Sequence, residues 1–192
     1  MLKISILKLK PSGARLNGSV TGEAHAEQVA KLLGEAAAPT AEILVLDFQG
    51  VESASSSYLK RLLNPLLAPS EGGDDCSRQL SPVVVNVESA DLKEDLEDYL
   101  NGHHRALICA KMSGERLRFG NLLGQLDGAA EETFDELRQL KQATAAQLYE
   151  RHGNRTTNQT AWNNRLAQLV ELRIARRKKD GRFWIYQPTI AI

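Results

Sequence analysis

The sequence predicts an α/β fold with a mixed, mostly parallel sheet, followed by a small α+β region at the C-terminal end. Over the first 115 residues, short apolar runs alternate with helical patterns, which is typical of parallel strands joined by packed helices. Further on, helical patterns are followed by two strand-like runs around an Asp-Gly turn signal. We therefore divide the 192 residues into an α/β domain at 1–115, a bridging helix or linker at 116–130 and an α+β domain at 131–192.

The first domain begins with a strand at 2–9, where lysines alternate with apolar residues, and a short strand near 15–20 is expected to form a hairpin with it. An Ala-rich helix follows at 22–38 and ends at Pro39, because proline cannot continue a helix. The strand at 42–48 contains four successive apolar residues. Such a run predicts a strand that is covered on both faces.

The same alternation then repeats along the chain. It predicts a helix at 58–67, a strand at 82–87, a helix at 90–100 and a strand at 105–112. Leucines and a phenylalanine between 117 and 126 predict one more helix, which either closes this domain or bridges to the next.

The last third opens with three predicted helices, at 131–142, at 143–151 and from about residue 156. The second and third helices each begin with a capping box, in which a Thr and the Gln three residues later bond each other's backbone N–H groups. These pairs are Thr144 with Gln147 and Thr156 with Gln159. The close spacing of the two helices is that of a helix-turn-helix.

The third of these helices has one apolar stripe and one polar face. Its apolar stripe should pack against the preceding helices, so that Trp162 is interpreted as a core residue. The opposite face carries hydroxyl, amide and guanidinium groups, which can hydrogen-bond base edges or phosphates in a major groove. The stripe is Trp162, Leu166, Leu169 and Val170, and the polar face is Thr157, Thr160, Asn163, Asn164, Arg165 and Gln168. We assign Thr157, Thr160, Asn164 and Gln168 to bases, and Arg165 to phosphates.

Two strand-like runs, 174–177 and 183–186, flank a basic segment that contains the dipeptide Asp180-Gly181. Asp-Gly between such runs predicts a β-hairpin. Its cations suit the anionic backbone beside a groove. The residues assigned to this contact are Arg177, Lys178, Lys179 and Arg182.

The segment RLAQLVELRIARR, with the following GRFWIY, resembles a winged helix-turn-helix of bacterial regulator type. The resemblance covers roughly the last third of the chain. It implies a transcriptional regulator that binds double-stranded DNA, and we expect a homodimer because two-fold symmetry doubles a short site. Winged helices also serve as protein docking modules, and a basic hairpin is often only a solvated surface, so both alternatives stay open.

The segment VLDFQGVESASSSYL at 45–59 resembles the STAS fold of anti-sigma factor antagonists, and more closely a STAS-like family found beside bacterial regulators and ATPases. The resemblance covers roughly residues 1–115 and implies partner binding. The family's phosphorylated serine falls on Ser56, whereas its acidic neighbour and its glycine are replaced by Ser55 and Tyr58. The resemblance thus points to Ser55, Ser56 and Ser57 as a phosphoacceptor or partner surface. From the residues alone, the serines are good helix N-caps.

Charge is unevenly distributed along a chain whose net charge is zero. Residues 137–192 carry 11 basic and 3 acidic side chains, a net charge of +8, and the first 136 residues carry 13 and 21, a net charge of −8. A basic region joined to an acidic one is typical of a polyanion-binding domain attached to a domain of another role. Neither a secretory signal nor a membrane-spanning run is present, so we expect a cytoplasmic protein.

Little in the sequence indicates catalysis. Cys76 and Cys109 lack the spacing of a redox or metal site, and the four histidines have no Cys or His at ligand spacing. Asp47 ends a predicted strand without a phosphate loop or a nucleophile elbow, and is interpreted as a turn residue. We expect neither an enzyme nor a metal or cofactor. The two main hypotheses are a DNA-binding regulator and a partner-switching module whose winged domain docks to protein, and a third is an enzyme that uses Asp47 and the serine cluster.

Overall fold

The computed structural model describes residues 3–9, 14–35, 41–67, 81–114, 116–152 and 158–190, which form a mixed α/β fold. The helices are α1 (Ser19–Glu35), α2 (Ser56–Leu67), α3 (Ala90–Gly102), α4 (Gly128–Leu140), α5 (Ala145–His152) and α6 (Gln159–Glu171). The strands are β1 (Lys3–Lys8), β2 (Arg15–Leu16), β3 (Ala41–Asp47), β4 (Ser53–Ala54), β5 (Ser81–Val85), β6 (Ala106–Ser113), β7 (Arg116–Gly124), β8 (Ala175–Asp180) and β9 (Phe183–Pro188).

The main sheet has five strands in the order β1–β3–β5–β6–β7. β1, β3, β5 and β6 pair in parallel, whereas β7 runs antiparallel to β6. In the described residues, each connection between parallel neighbours contains a helix, because such strands need a crossover. The predicted alternation of helices with a mostly parallel sheet is confirmed.

The hairpin predicted between the first two strands is wrong. β2 has only two residues and pairs in parallel with β4, while β1 pairs with β3. α1 begins at Ser19, three residues earlier than predicted, so the chain enters the helix before β2 can lengthen into a hairpin strand. The predicted end of this helix at Pro39 lies outside the described residues.

Both faces of the sheet are covered, as the apolar run in β3 predicts. Leu44 and Leu46 are buried in a cluster with residues of α1, α2 and α3. Ile43 and Val45, on the other face, belong to a second cluster that includes residues of α4, α5 and α6. Each side chain buried in this way contributes about 1.5–3 kcal/mol. The second cluster, called here the shared cluster, therefore joins the sheet to the C-terminal helices. The division into two domains at 116–130 stays a prediction.

The helix predicted between 117 and 126 is wrong, because this segment contains β7. Phe119 and Leu122 both pack against the shared cluster, although residues three apart in a regular strand face opposite ways. A register shift at Gly120 inserts one extra residue and so places Phe119 and Leu122 on the same face. Apolar residues three apart also occur on one face of a helix, which is why the sequence pattern predicts a helix here. A Cβ atom at Gly120 would lie 2.6 Å from the carbonyl oxygen of Cys109, so the shift requires glycine.

A buried hydrogen bond of 2.7 Å joins His25 Nδ1 on α1 to Tyr58 Oη on α2. α1 and α2 approach each other closely at Gly22, where an added Cβ atom would lie 3.1 Å from Cβ of Arg61. Burial lowers the pKa of His25 and raises the pKa of Tyr58. The folded protein therefore favours the neutral imidazole.

We expect the free energy of unfolding to decrease as the pH falls below 6.5, the ordinary pKa of His25. Below this pH the unfolded chain binds a proton at His25 that the folded chain does not bind. The contribution of neutral His25 to stability is therefore fully present above pH 6.5 and is lost as the pH falls towards the lowered pKa. Urea unfolding over a pH series tests this in His25→Gln, which should flatten the dependence, and in the exposed control His104→Asn. An unchanged slope in His25→Gln would contradict the assignment.

Candidate nucleic-acid interface

α5 and α6 begin with side-chain caps. Thr144 N donates to Gln147 Oε1 at 2.8 Å and Gln147 N donates to Thr144 Oγ1 at 3.2 Å, so the first predicted capping box is confirmed. α6 begins later than predicted, at Gln159, and its cap is Asn158, whose Oδ1 accepts from Ala161 N at 2.8 Å. The predicted start at about 156 is therefore three residues too early, since the helix uses the preferred Asn cap. Thr156, the first residue of the second predicted capping box, lies outside the described residues.

One side of α6 is buried in the shared cluster, together with Phe134 of α4 and Leu148 of α5. The core assignment of Trp162 is confirmed, because only 2% of this residue is exposed. The buried residues of α6 are those of the predicted apolar stripe, Trp162, Leu166, Leu169 and Val170.

A two-stranded hairpin follows α6. β8 and β9 pair antiparallel around a two-residue turn, in which Gly181 has a φ of 57°. The predicted hairpin is confirmed, but β8 extends to Asp180, so that the turn consists of Gly181 and Arg182 and does not include Asp180. Ala143, which precedes α5, exchanges two backbone hydrogen bonds with Tyr186 of β9, at 2.9 and 2.8 Å. This bridge fixes the hairpin beside the three helices.

The N-terminal half of α6 leaves its polar side chains open to solvent. Thr160, Asn163 and Asn164 are exposed. Thr157, which the sequence assigns to the same face, lies outside the described residues. The structure therefore brings two adjacent amide side chains and a hydroxyl to one open surface at the start of this helix.

The C-terminal half of the polar face lies against α4. Gln168 Nε2 donates to Asp127 Oδ2 at 3.0 Å. Arg165 lies 4.0 Å from Glu132, and its guanidinium is 5.1 Å from the ring centroid of Trp162. These two predicted contact residues are thus already engaged within the protein.

Asp127 has a second role, because its Oδ1 accepts from Ala130 N at 2.8 Å and caps α4. The amide of Gln168 and then the backbone N–H of Ala130 hold the pKa of Asp127 below its ordinary value. The predicted helix begins at 131 and therefore misses this residue. An Asp directly before a helix, with Glu131 in the first turn, is the signal that could identify the cap.

The hairpin carries its exposed cations near the turn. Lys178, Lys179 and Arg182 are exposed. Arg177 is half-buried and lies over the ring of Trp184 at 4.4 Å, with Nζ of Lys179 5.8 Å from the same ring. Arg177 therefore also stabilises the hairpin by a cation–π contact, which the sequence pattern does not indicate.

The serine surface does not join this interface, because α2 packs on the opposite face of the sheet. Ser55 Oγ accepts from Tyr58 N at 3.4 Å, so Ser55 is the serine placed to cap α2. Ser56 and Ser57 are exposed in the first turn of this helix. Asp47 Oδ1 accepts from Gln49 N at 3.0 Å, as expected of a turn residue.

Comparison with protein-family models, curated proteins and solved structures gives no match for this chain. None of the helices in the described ranges is both long and apolar enough to cross a membrane. The same ranges contain no group of three His, Cys, Asp or Glu side chains that could hold a metal ion. The interface must therefore be interpreted from its own geometry.

Proposed function

We propose that the protein is a DNA-binding transcriptional regulator without catalytic activity, in which residues 131–192 act as a winged helix-turn-helix. α6 would read base edges in the major groove, and the β8–β9 hairpin would be the wing that holds the phosphate backbone. The observation that carries this proposal is that α6 leaves the polar side chains of its N-terminal half exposed and is followed by a hairpin with exposed cations near its turn. Lys178, Lys179 and Arg182 are exposed, whereas the apolar stripe of α6 is buried.

The distribution of charge supports the same function. The net charge of +8 over 137–192 favours a polyanion, and the acidic remainder of the chain disfavours a second contact with the same polyanion. The acidic residues Asp127 and Glu132 lie against the C-terminal half of α6. We therefore place the reading surface at Thr160, Asn163 and Asn164. A homodimer would double this short site on a duplex.

Replacing Asn164 with Ala should relax the preference for particular bases by about 1–3 kcal/mol, because an exposed amide can bond a base edge bidentately. Gln168→Ala is the matched control and should keep the base preferences of the parent protein, since the amide of Gln168 is already hydrogen-bonded to Asp127. Selection from a randomised duplex library, followed by competition titrations, measures both effects. Equal base preferences in Asn164→Ala and the parent protein would remove Asn164 from the reading surface.

The N-terminal sheet would serve as a STAS-like domain for partner binding or dimerisation. One observation favours the second candidate function, a partner-switching module whose winged domain docks to protein. Ser56 is exposed at the start of α2, where the helix N-terminus stabilises added negative charge. A phosphate there would change the surface offered to a partner without disturbing the core.

Ser56→Asp tests the partner-switching function, with Ser56→Asn as a control that has similar size and no charge. If the module switches partners, a protein that co-purifies with the chain should be lost with Ser56→Asp and kept with Ser56→Asn. The same protein should remain bound when Lys178, Lys179 and Arg182 are replaced with Ala. Loss with the hairpin variant, but not with Ser56→Asp, would contradict this function for the serine surface.

A further inference from the structure

Phe183 is an exposed aromatic residue at the tip of a basic hairpin. It is 66% exposed, and Val20 is the other large apolar residue that the described part of the chain leaves exposed. Phe183 begins β9 directly after the turn and pairs with Asp180 of β8. Burial in the protein therefore does not explain a phenylalanine at this position.

The register of the hairpin separates Phe183 from the aromatic residue that packs inward. Trp184 shares a face with Lys179 and Arg177, and it packs against the shared cluster. Phe183 shares the opposite face with its cross-strand partner Asp180 and with Lys178, and Arg182 precedes it in the chain. Its ring is thus exposed at a tip where Lys178, Lys179 and Arg182 outnumber the single carboxylate of Asp180. The cations suit an anionic partner, and the ring suits a partner with an apolar interior.

We propose, on the basis of the proposed DNA-binding function, that Phe183 is a wedge that inserts between base pairs from the minor groove. Proteins that bend DNA insert apolar side chains between base steps, and the lost stacking is offset by the larger surface that the bent duplex contacts. Lys178, Lys179 and Arg182 hold the phosphates on either side of the groove. A protein docking surface would instead require a contiguous apolar patch, whereas Phe183 is the one large apolar residue exposed on the described hairpin.

The wedge defines a class of DNA sequence. Pyrimidine–purine steps such as TA and CA unstack most readily, so the hairpin should prefer such a step where Phe183 enters. This preference does not depend on hydrogen bonds to bases. It therefore adds to the reading by α6, at a separate position in the site.

A duplex that carries 2-aminopurine beside a TA step, with a fluorophore pair at its ends, tests the wedge. The parent protein should raise the 2-aminopurine fluorescence and bring the duplex ends closer. Phe183→Ala should abolish both signals and weaken binding about tenfold, as expected for the loss of one stacked side chain. Its salt dependence should equal that of the parent protein because the cations remain, and Phe183→Leu should retain most of both signals.

The outcomes separate this inference from the proposed function. Salt-dependent binding of the duplex without either optical signal would overturn the wedge and leave the DNA-binding function standing. Absence of binding by the parent protein would overturn both. If Phe183→Ala keeps both signals but no longer retains a co-purifying protein, Phe183 is a protein contact and the wedge is wrong.

Discussion

Replacing Lys178, Lys179 and Arg182 together with Ala should weaken binding to every duplex sequence alike. Each cation that neutralises a phosphate releases a counterion, so the slope of log K against log salt should fall by about 0.9 per residue, or nearly three for the set. The three side chains are exposed near the turn of the hairpin, so their loss should leave the fold intact. Base preference should be unchanged, because phosphate contacts carry no sequence information.

Fluorescence anisotropy with two unrelated duplexes over a range of salt concentrations measures this effect. Lys111, Arg116 and Arg118 provide a matched control, because they are three exposed cations at one end of the β6–β7 pair. Their replacement should change the salt slope little. If both triple variants lower the slope equally, the contact is a diffuse effect of net charge and the hairpin has no particular role.

Phe134→Ala should lower the free energy of unfolding by about 3–5 kcal/mol, the usual cost of removing a buried aromatic ring. Phe134 is 1% exposed, and its ring lies 5.9 Å from the ring of Phe119 on β7. It belongs to the shared cluster, which contains residues of the sheet and of α4, α5 and α6. Loss of this ring should therefore destabilise the sheet and the C-terminal helices together.

Urea unfolding followed by two probes measures this effect. The two tryptophans, Trp162 and Trp184, report on the C-terminal region, whereas circular dichroism reports on the whole chain. We expect coincident transitions at a lower urea concentration than in the parent protein. Phe183→Ala is the matched control because the same side chain is lost from an exposed position, and it should change stability little. Two separate transitions would contradict a single cooperative unit and support the predicted division at 116–130.

Local patterns account for the parts of the fold that the sequence predicts well. The capping box at Thr144 and Gln147 depends on residues three apart, and the buried stripe of α6 depends on one helical period. The continuous apolar run of β3 predicts burial on two faces without specifying what covers them. These features need no knowledge of distant contacts.

The remaining features depend on residues that are far apart in the sequence. The register shift at Gly120 gives Phe119 and Leu122 a helix-like spacing, and only the pairing with β6 identifies a strand. The bond between Gln168 and Asp127 joins residues 41 positions apart, so the helical period alone cannot show that part of the polar face is engaged. Periodicity likewise gives no indication that Phe183 is exposed at the hairpin tip.

The central claim is that the exposed start of α6 and the basic β8–β9 hairpin bind duplex DNA. A salt titration of the parent protein tests this claim most directly. At about 50 mM salt the protein should bind a labelled duplex. The logarithm of its binding constant should then decrease linearly with the logarithm of the salt concentration. The magnitude of the slope should be at least about 2.7, which is the contribution expected from Lys178, Lys179 and Arg182. Absence of measurable binding at this low ionic strength, or an affinity that does not change with salt, would contradict the claim.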